Sequence, residues 1–156
     1  MIRAIIMDVD GTLTDGKINI SGNGELFKSF SIKDGMGISM LSKYNILSII
    51  ITGRDSEIVR IRSEELKVNY LYQGISDKSI VLKNIVKDLN IDFCDIAYIG
   101  DDINDISCMK LCAIAGCPND SVSGVKEVSD YICNNNGGNG AVREFIEYLL
   151  EYNKGI

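Results

Sequence analysis

A doubly wound α/β fold, three layers with a parallel sheet in the middle, is the architecture the sequence predicts. Short apolar runs of strand length alternate with segments of helical period, the pattern of strand–helix–strand units. Acidic and hydroxyl residues gather just beyond the ends of three of those runs, where open α/β sheets bind their ligands. The chain has 156 residues, which is the size of one domain, and it carries no Pro- or Ser-rich linker. A single domain over 1–156 is therefore expected.

The elements follow in order. Residues 3–7 (Arg-Ala-Ile-Ile-Met) read as a first buried strand. Residues 17–30 break the rhythm: two short β-type runs flank Ser21-Gly22-Asn23-Gly24, a hairpin signal. A helix is read over 38–43, a strand over 46–51, a helix over 57–66 and a short strand over 70–72. The helix over 78–89 places Leu82, Ile85, Val86 and Leu89 on one stripe. A strand at 96–99, a helix at 103–111 and strands at 113–115 and 131–133 come next. Pro118 and the run 134–140 are read as loops. The last helix is the most regular, with Val142, Phe145, Ile146, Leu149 and Leu150 at i, i+3, i+4, i+7 and i+8.

Composition narrows the chemistry. Hydrophobic residues make up 46% and charged residues 24%, which excludes disorder and coiled coil. Sixteen basic against twenty-two acidic residues give a net charge of −6, which argues against general nucleic-acid binding. No apolar run approaches the ~20 residues of a membrane helix, and Asp8 interrupts the N-terminal apolar stretch before a signal core forms. A cytoplasmic protein is expected. There is no histidine, so His-based triads and His-ligated metals are ruled out. The five cysteines include Cys108, Cys112 and Cys117 in close sequence. They are read as buried free thiols in preference to a soft-metal site.

Asp8-Val9-Asp10-Gly11-Thr12 follows the first strand, Thr52-Gly53-Arg54 the second, and Gly100-Asp101-Asp102-Ile103-Asn104-Asp105 a later one. Lys78 opens the helix between the last two. Several carboxylates brought into one cleft would raise each other's proton affinity, and an all-oxygen set without histidine suits Mg²⁺. A carboxylate cluster with a hydroxyl and an ammonium is a set for phosphoryl transfer: one aspartate attacks phosphorus while Thr52, Lys78 and the metal steady the transferring group.

These residues resemble the haloacid dehalogenase (HAD) superfamily of phosphatases. Asp8-Val9-Asp10-Gly11-Thr12-Leu13-Thr14-Asp15 looks like the first motif, and Thr52, Lys78 and Gly100-Asp101-Asp102-x-x-Asp105 fall in order as the second, third and fourth. The resemblance implies that Asp8 is the nucleophile that becomes an aspartyl-phosphate. Asp10 would protonate the leaving alcohol and then activate water, and Thr52 and Lys78 would bind the phosphoryl group. It implies Mg²⁺ held by Asp8, the main-chain carbonyl of Asp10 and Asp101, with Asp102 and Asp105 supporting.

Only the hairpin, about 17–30, follows the first motif, and one helix and one strand separate the second from the third, so the chain resembles a capless member. Lys33-Asp34-Gly35-Met36-Gly37-Ile38, Thr52-Gly53-Arg54-Asp55-Ser56 and Gly137-Gly138-Asn139-Gly140-Ala141-Val142-Arg143-Glu144 are similar to a subgroup acting on phosphates of eight- and nine-carbon 2-keto-3-deoxy sugar acids. That subgroup closes its open site with neighbouring subunits, which implies a homotetramer. Arg54, Arg60 and Arg62 are candidates for the sugar carboxylate. With the resemblance, Arg54 favours 3-deoxy-D-manno-octulosonate 8-phosphate (KDO 8-phosphate), on the route to lipopolysaccharide, over the 9-phosphates of sialic-acid-type sugars. Gly53 and the loop Lys33, Asp34 and Gly35 are expected on the substrate side. Two readings of other classes stay open. A phosphate-holding receiver domain would lack Asp10, and a non-catalytic oligomerisation domain would have lost Asp8 or Asp10.

Overall fold

The computed structural model describes residues 1–155. Six parallel strands form one sheet: β1 (Ala4–Met7), β4 (Leu47–Ile51), β5 (Tyr70–Tyr72), β6 (Ile96–Ile99), β7 (Ile114–Cys117) and β8 (Tyr131–Ile132), in the order β5-β4-β1-β6-β7-β8. β1 lies at the centre, and the order reverses there: the chain builds outward on one side through β4 and β5, then on the other through β6, β7 and β8. That reversal opens a crevice at the carboxyl ends of β1, β4 and β6. Met7 is in register with Ile50 on one side and Ile99 on the other, so the residues that follow these strands emerge side by side.

Helices cover both faces: α1 (Ile32–Met40), α2 (Glu57–Glu65), α3 (Lys78–Leu89), α4 (Ile106–Met109), α5 (Ser123–Glu127) and α6 (Ala141–Lys154). All four residues of β1 are buried, as expected of a strand covered on both sides. Alternation splits them. Ile5 and Met7 pack with Ile38 of α1, Val59 of α2 and Phe145, Ile146 and Leu149 of α6. Ala4 and Ile6 pack with Leu82 and Ile85 of α3, Met109 of α4 and Val125 of α5. Each large side chain taken from water this way stabilises by roughly 1.5–3 kcal/mol. No helix among the described residues is long and apolar enough to cross a membrane.

The flap is a minimal hairpin, β2 (Ile20–Ser21) against β3 (Gly24–Glu25). Three other elements differ from the sequence reading. α1 begins at Ile32, not 38, because Ser31 caps it by accepting from the amides of Lys33 and Asp34. Its inward face carries Gly35 and Gly37, packed against the side chains of Arg62 and Arg143, while Ile32 and Met36 face out; the apolar period was therefore masked. The segment read as one helix over 103–111 is a 3-10 turn, Ile103–Asp105, followed by α4. There Asp102 and Asp105 bond to each other's backbone amides and close a capping box. The short α5 had no apolar repeat long enough to announce it.

Candidate active site

Asp8 follows β1, and its amide donates to the Ile99 carbonyl of β6, which fixes its carboxylate at the head of the sheet. Lys78, first residue of α3, crosses beneath it. Its Nζ lies 2.8 Å from Asp8 Oδ1 and 2.8 Å from Asp105 Oδ1. Both partners and the lysine are buried. Burial works against the ammonium, but the charges of Asp8 and Asp105 overcome it and raise the Lys78 pKa.

Asp105 has every lone pair engaged. Oδ1 accepts from Lys78 and from the Tyr98 hydroxyl at 2.7 Å, and Oδ2 accepts from the amides of Asp101 and Asp102 at 3.1 and 3.3 Å. A carboxylate with four donors has no coordination site to spare. Asp105 thus sets the Asp101–Asp102 turn and aims Lys78.

Asp101 stands opposite Asp8 and takes a bond from Thr12 Oγ1 at 3.1 Å. Gly11 permits this approach: it sits at φ +89, and a Cβ there would fall 1.9 Å from Asp101 Oδ2. Carboxylate oxygens of Asp8, Asp101 and Asp105 lie within 4.8 Å of one another, and those of Asp8 and Asp101 are the ones left for a cation. Burial, then the Asp105 charge, raise Asp8 to a pKa of about 6 despite Lys78. Burial, then the bond and charge from Asp8, push Asp101 up to about 8. Two acids crowded into holding protons, with oxygen donors only, fit a hard divalent cation that would release those protons.

The mouth is a cleft of about 180 Å³ lined by Asp8, Asp10, Thr52, Gly53, Arg54, Asp102 and Asn104. Thr52 is buried beside the head of β4, where its amide bonds to the Tyr72 carbonyl. Arg54 is exposed at the rim. Asp102 Oδ1 accepts from the Ile103 amide at 2.7 Å. Asn104 lies inside the fourth-motif stretch, at a position where the motif asks for no particular residue, and was given no role. Lys28 and Glu25 of the flap were missed: Lys28 Nζ is 2.5 Å from Asp10 Oδ1, a contact between residues 18 apart that no local pattern announces.

Three expected substrate contacts lie elsewhere. Asp34, Gly35 and Arg62 border a separate, mostly apolar cavity between α1 and α2. Asp34 is 1% exposed and accepts from the Arg143 amide at 2.9 Å. Burial raises its pKa, countered by the amides of Arg143 and Gly140, so it serves the N-terminus of α6. Arg62 packs over the Phe30 ring at 5.7 Å and pairs with Glu65. Arg60 pairs with Glu57 and Glu64 on the solvated face of α2. Lys33 borders an open depression with Phe30, Gly138 and Asn139.

A haloacid dehalogenase-like hydrolase profile matches residues 50–146. The 3-deoxy-D-manno-octulosonate 8-phosphate phosphatase KdsC of Haemophilus influenzae is 35% identical over 150 residues, covering 96% of this chain and 83% of that protein. The protein of the same name from Salmonella typhimurium is 39% identical over 149 residues, covering 96% and 79%. Among solved structures, the 3-deoxy-D-manno-octulosonate 8-phosphate phosphatase of Moraxella catarrhalis, in complex with magnesium ion, phosphate ion and KDO, superposes with TM-score 0.93 at 39% identity, covering 96% of this chain and 86% of that one. The cobalt-bound Haemophilus influenzae phosphatase superposes with TM-score 0.93 at 35% identity, covering 96% and 88%. Profile, relatives and strand-end acids agree, and the chain belongs to the haloacid dehalogenase-like hydrolases.

Proposed function

We propose that the protein is a Mg²⁺-dependent phosphatase that hydrolyses KDO 8-phosphate to KDO and phosphate, a step in lipopolysaccharide synthesis. The carrying observation is the buried pairing of Asp8 with Lys78, facing Asp101 and opening onto a cleft that holds Asp10 and Thr52. Identities of 35–39% over 96% of the chain to phosphatases named for that substrate support the choice of ester.

Asp8 attacks phosphorus and the bond from phosphorus to the sugar oxygen breaks, leaving an aspartyl-phosphate. Asp10 gives its proton to the departing oxygen, then takes one from the water that cleaves the acyl phosphate. Lys78 and the Thr52 hydroxyl hold the phosphoryl oxygens through both steps. Asp8, Asp101 and the main-chain carbonyl of Asp10 would hold Mg²⁺, with Asp102 and Asp105 supporting, and the ion would supply positive charge against the phosphoryl oxygens. Gly53 and Arg54 border the cleft where the sugar enters, and Arg54 is the cation for its carboxylate. Lys33, on the first turn of α1 beside the flap, is a second cation on the substrate side, while Asp34, Gly35 and Arg62 support the fold around α1.

One domain without a cap leaves the cleft open, and we propose a homotetramer whose neighbouring subunits close it. The exposed apolar side chains of Ile18, Ile20, Leu26, Phe27, Ile32 and Met36, all on the flap and α1, support a second copy as their cover. Five free cysteines fit a reducing, cytoplasmic compartment.

The test is phosphate release with Mg²⁺ from KDO 8-phosphate and N-acetylneuraminate 9-phosphate side by side. A preference for the eight-carbon ester is expected. Preference for the nine-carbon ester would overturn the substrate while keeping the chemistry, and release from neither would favour the non-catalytic oligomerisation reading.

A further inference from the structure

A chain of charged and polar contacts joins the flap to the two loops that carry the reaction. The Lys28 side chain is 4% exposed, with Nζ 2.5 Å from Asp10 Oδ1 and 3.1 Å from Glu25 Oε1. Glu25 Oε2 accepts from Ser56 Oγ at 2.5 Å. Ser56 caps α2 four residues beyond Thr52 and is itself held by Gln73, which accepts from its amide at 3.0 Å and donates to its carbonyl at 3.1 Å.

The hairpin cannot hold this arrangement alone. β2 and β3 pair through two residues each, and a two-stranded ribbon that short is marginal in water. Most of its large apolar side chains point to solvent. Its inward grip comes from Lys28 and Glu25, through charge-assisted hydrogen bonds, which are shorter and stronger than neutral ones. A second consequence falls on Asp10. With Oδ1 taken by the ammonium, Oδ2 is the oxygen left to carry a proton to or from the reacting group.

We propose that Lys28 is a positioning residue for Asp10, and that Glu25, tied to Ser56, anchors Lys28, so that the flap aims the proton-carrying carboxylate. Lys28 touches neither phosphorus nor the nucleophile; it acts through Asp10 alone. The inference rests on Asp10 carrying the proton in phosphomonoester hydrolysis.

The test compares two kinds of leaving group in Lys28→Met. A sugar or glycerol alkoxide needs a proton to leave, whereas p-nitrophenolate does not. Turnover is measured with KDO 8-phosphate and glycerol 1-phosphate, and the burst of p-nitrophenolate from p-nitrophenyl phosphate reports bond breaking alone. In this variant kcat on the alkyl esters should fall on the order of 10²-fold, the cost of misplacing a reacting group by about 1 Å, with KM changed by less than about threefold. The aryl burst should fall less than about tenfold, since its leaving group departs without a proton. Glu25→Gln, which keeps the side chain's shape, should show the same selectivity at smaller size, and it decides the matter if Lys28→Met fails to fold.

Equal losses on both ester classes would overturn the proposal, because a general structural defect does not distinguish leaving groups. A rise in KM with kcat unchanged would also overturn it, by making Lys28 a substrate contact. If the wild type hydrolyses glycerol 1-phosphate and the aryl ester but not KDO 8-phosphate, the substrate assignment fails, and Lys28 is judged on the glycerol ester.

Discussion

Lys78 reaches Asp105 as closely as it reaches Asp8, 2.8 Å in each case. One ammonium is therefore shared between the carboxylate proposed to attack phosphorus and the one that sets the Asp101–Asp102 turn. Lys78→Met would leave two buried carboxylates facing each other without a cation. Removing one partner of a buried ion pair costs about 3–5 kcal/mol. Urea unfolding of the metal-free protein at neutral pH should show a loss of that order. A loss below about 1 kcal/mol would mean that the buried pair is not formed.

The two facing acids give a pH dependence with a definite sign. Asp8 and Asp101 have pKa values of about 6 and about 8, both above the ordinary 3.8. The folded, metal-free protein then binds more protons than the unfolded chain between those limits. Stability from these groups is complete below pH 3.8 and is lost as pH rises through about 6 and about 8. Mg²⁺ displaces the same protons. Between pH 5 and 8 the stabilisation gained on adding Mg²⁺, read as the shift in thermal midpoint, should grow with pH. A shift that shrinks as pH rises would contradict the assignment of Asp8 and Asp101 as ligands.

Gly11→Ala tests the closeness of the first-motif loop to Asp101. The added Cβ would meet Asp101 Oδ2 at 1.9 Å, and the φ of +89 disfavours any side chain. Asp101 must move away from Asp8. Disturbing a ligand's support costs roughly 10–100-fold in metal affinity, so the Mg²⁺ concentration for half-maximal activity should rise by that factor. An unchanged Mg²⁺ requirement would remove Asp101 from the ligand set.

The strand-end acids were legible because an open sheet exposes its chemistry at fixed places. Once β1, β4 and β6 are recognised, Asp8, Thr52 and Asp101 must come together, whatever the loops do. Helix faces were harder. Arg62 lies close in sequence to Thr52, yet the turn of α2 carries it over Phe30 and away from the cleft. Asp34 sits two residues beyond Ile32 at the start of α1, but it faces α6. No pattern shorter than the tertiary fold joins Lys28 to Asp10 or Glu25 to Ser56, since those pairs are 18 and 31 residues apart. The same holds for Glu144. It lies in a stretch flagged by resemblance, but its task is visible only in space: its two oxygens gather the amides and side chains of Asn134 and Asn135. That holds the loop whose Gly137 rests against the Gly11 carbonyl, where a Cβ would fall 1.9 Å away.

The most direct test of the mechanism is phosphate release from KDO 8-phosphate with Mg²⁺ by Asp8→Asn beside the wild type. Asparagine keeps the shape of the side chain and removes the nucleophile. If Asp8 is the nucleophile, kcat falls on the order of 10³-fold or more, in a protein whose circular dichroism and thermal unfolding still report the native fold. Turnover by Asp8→Asn within about tenfold of the wild type, too small a loss for a missing nucleophile, would show that Asp8 does not attack phosphorus.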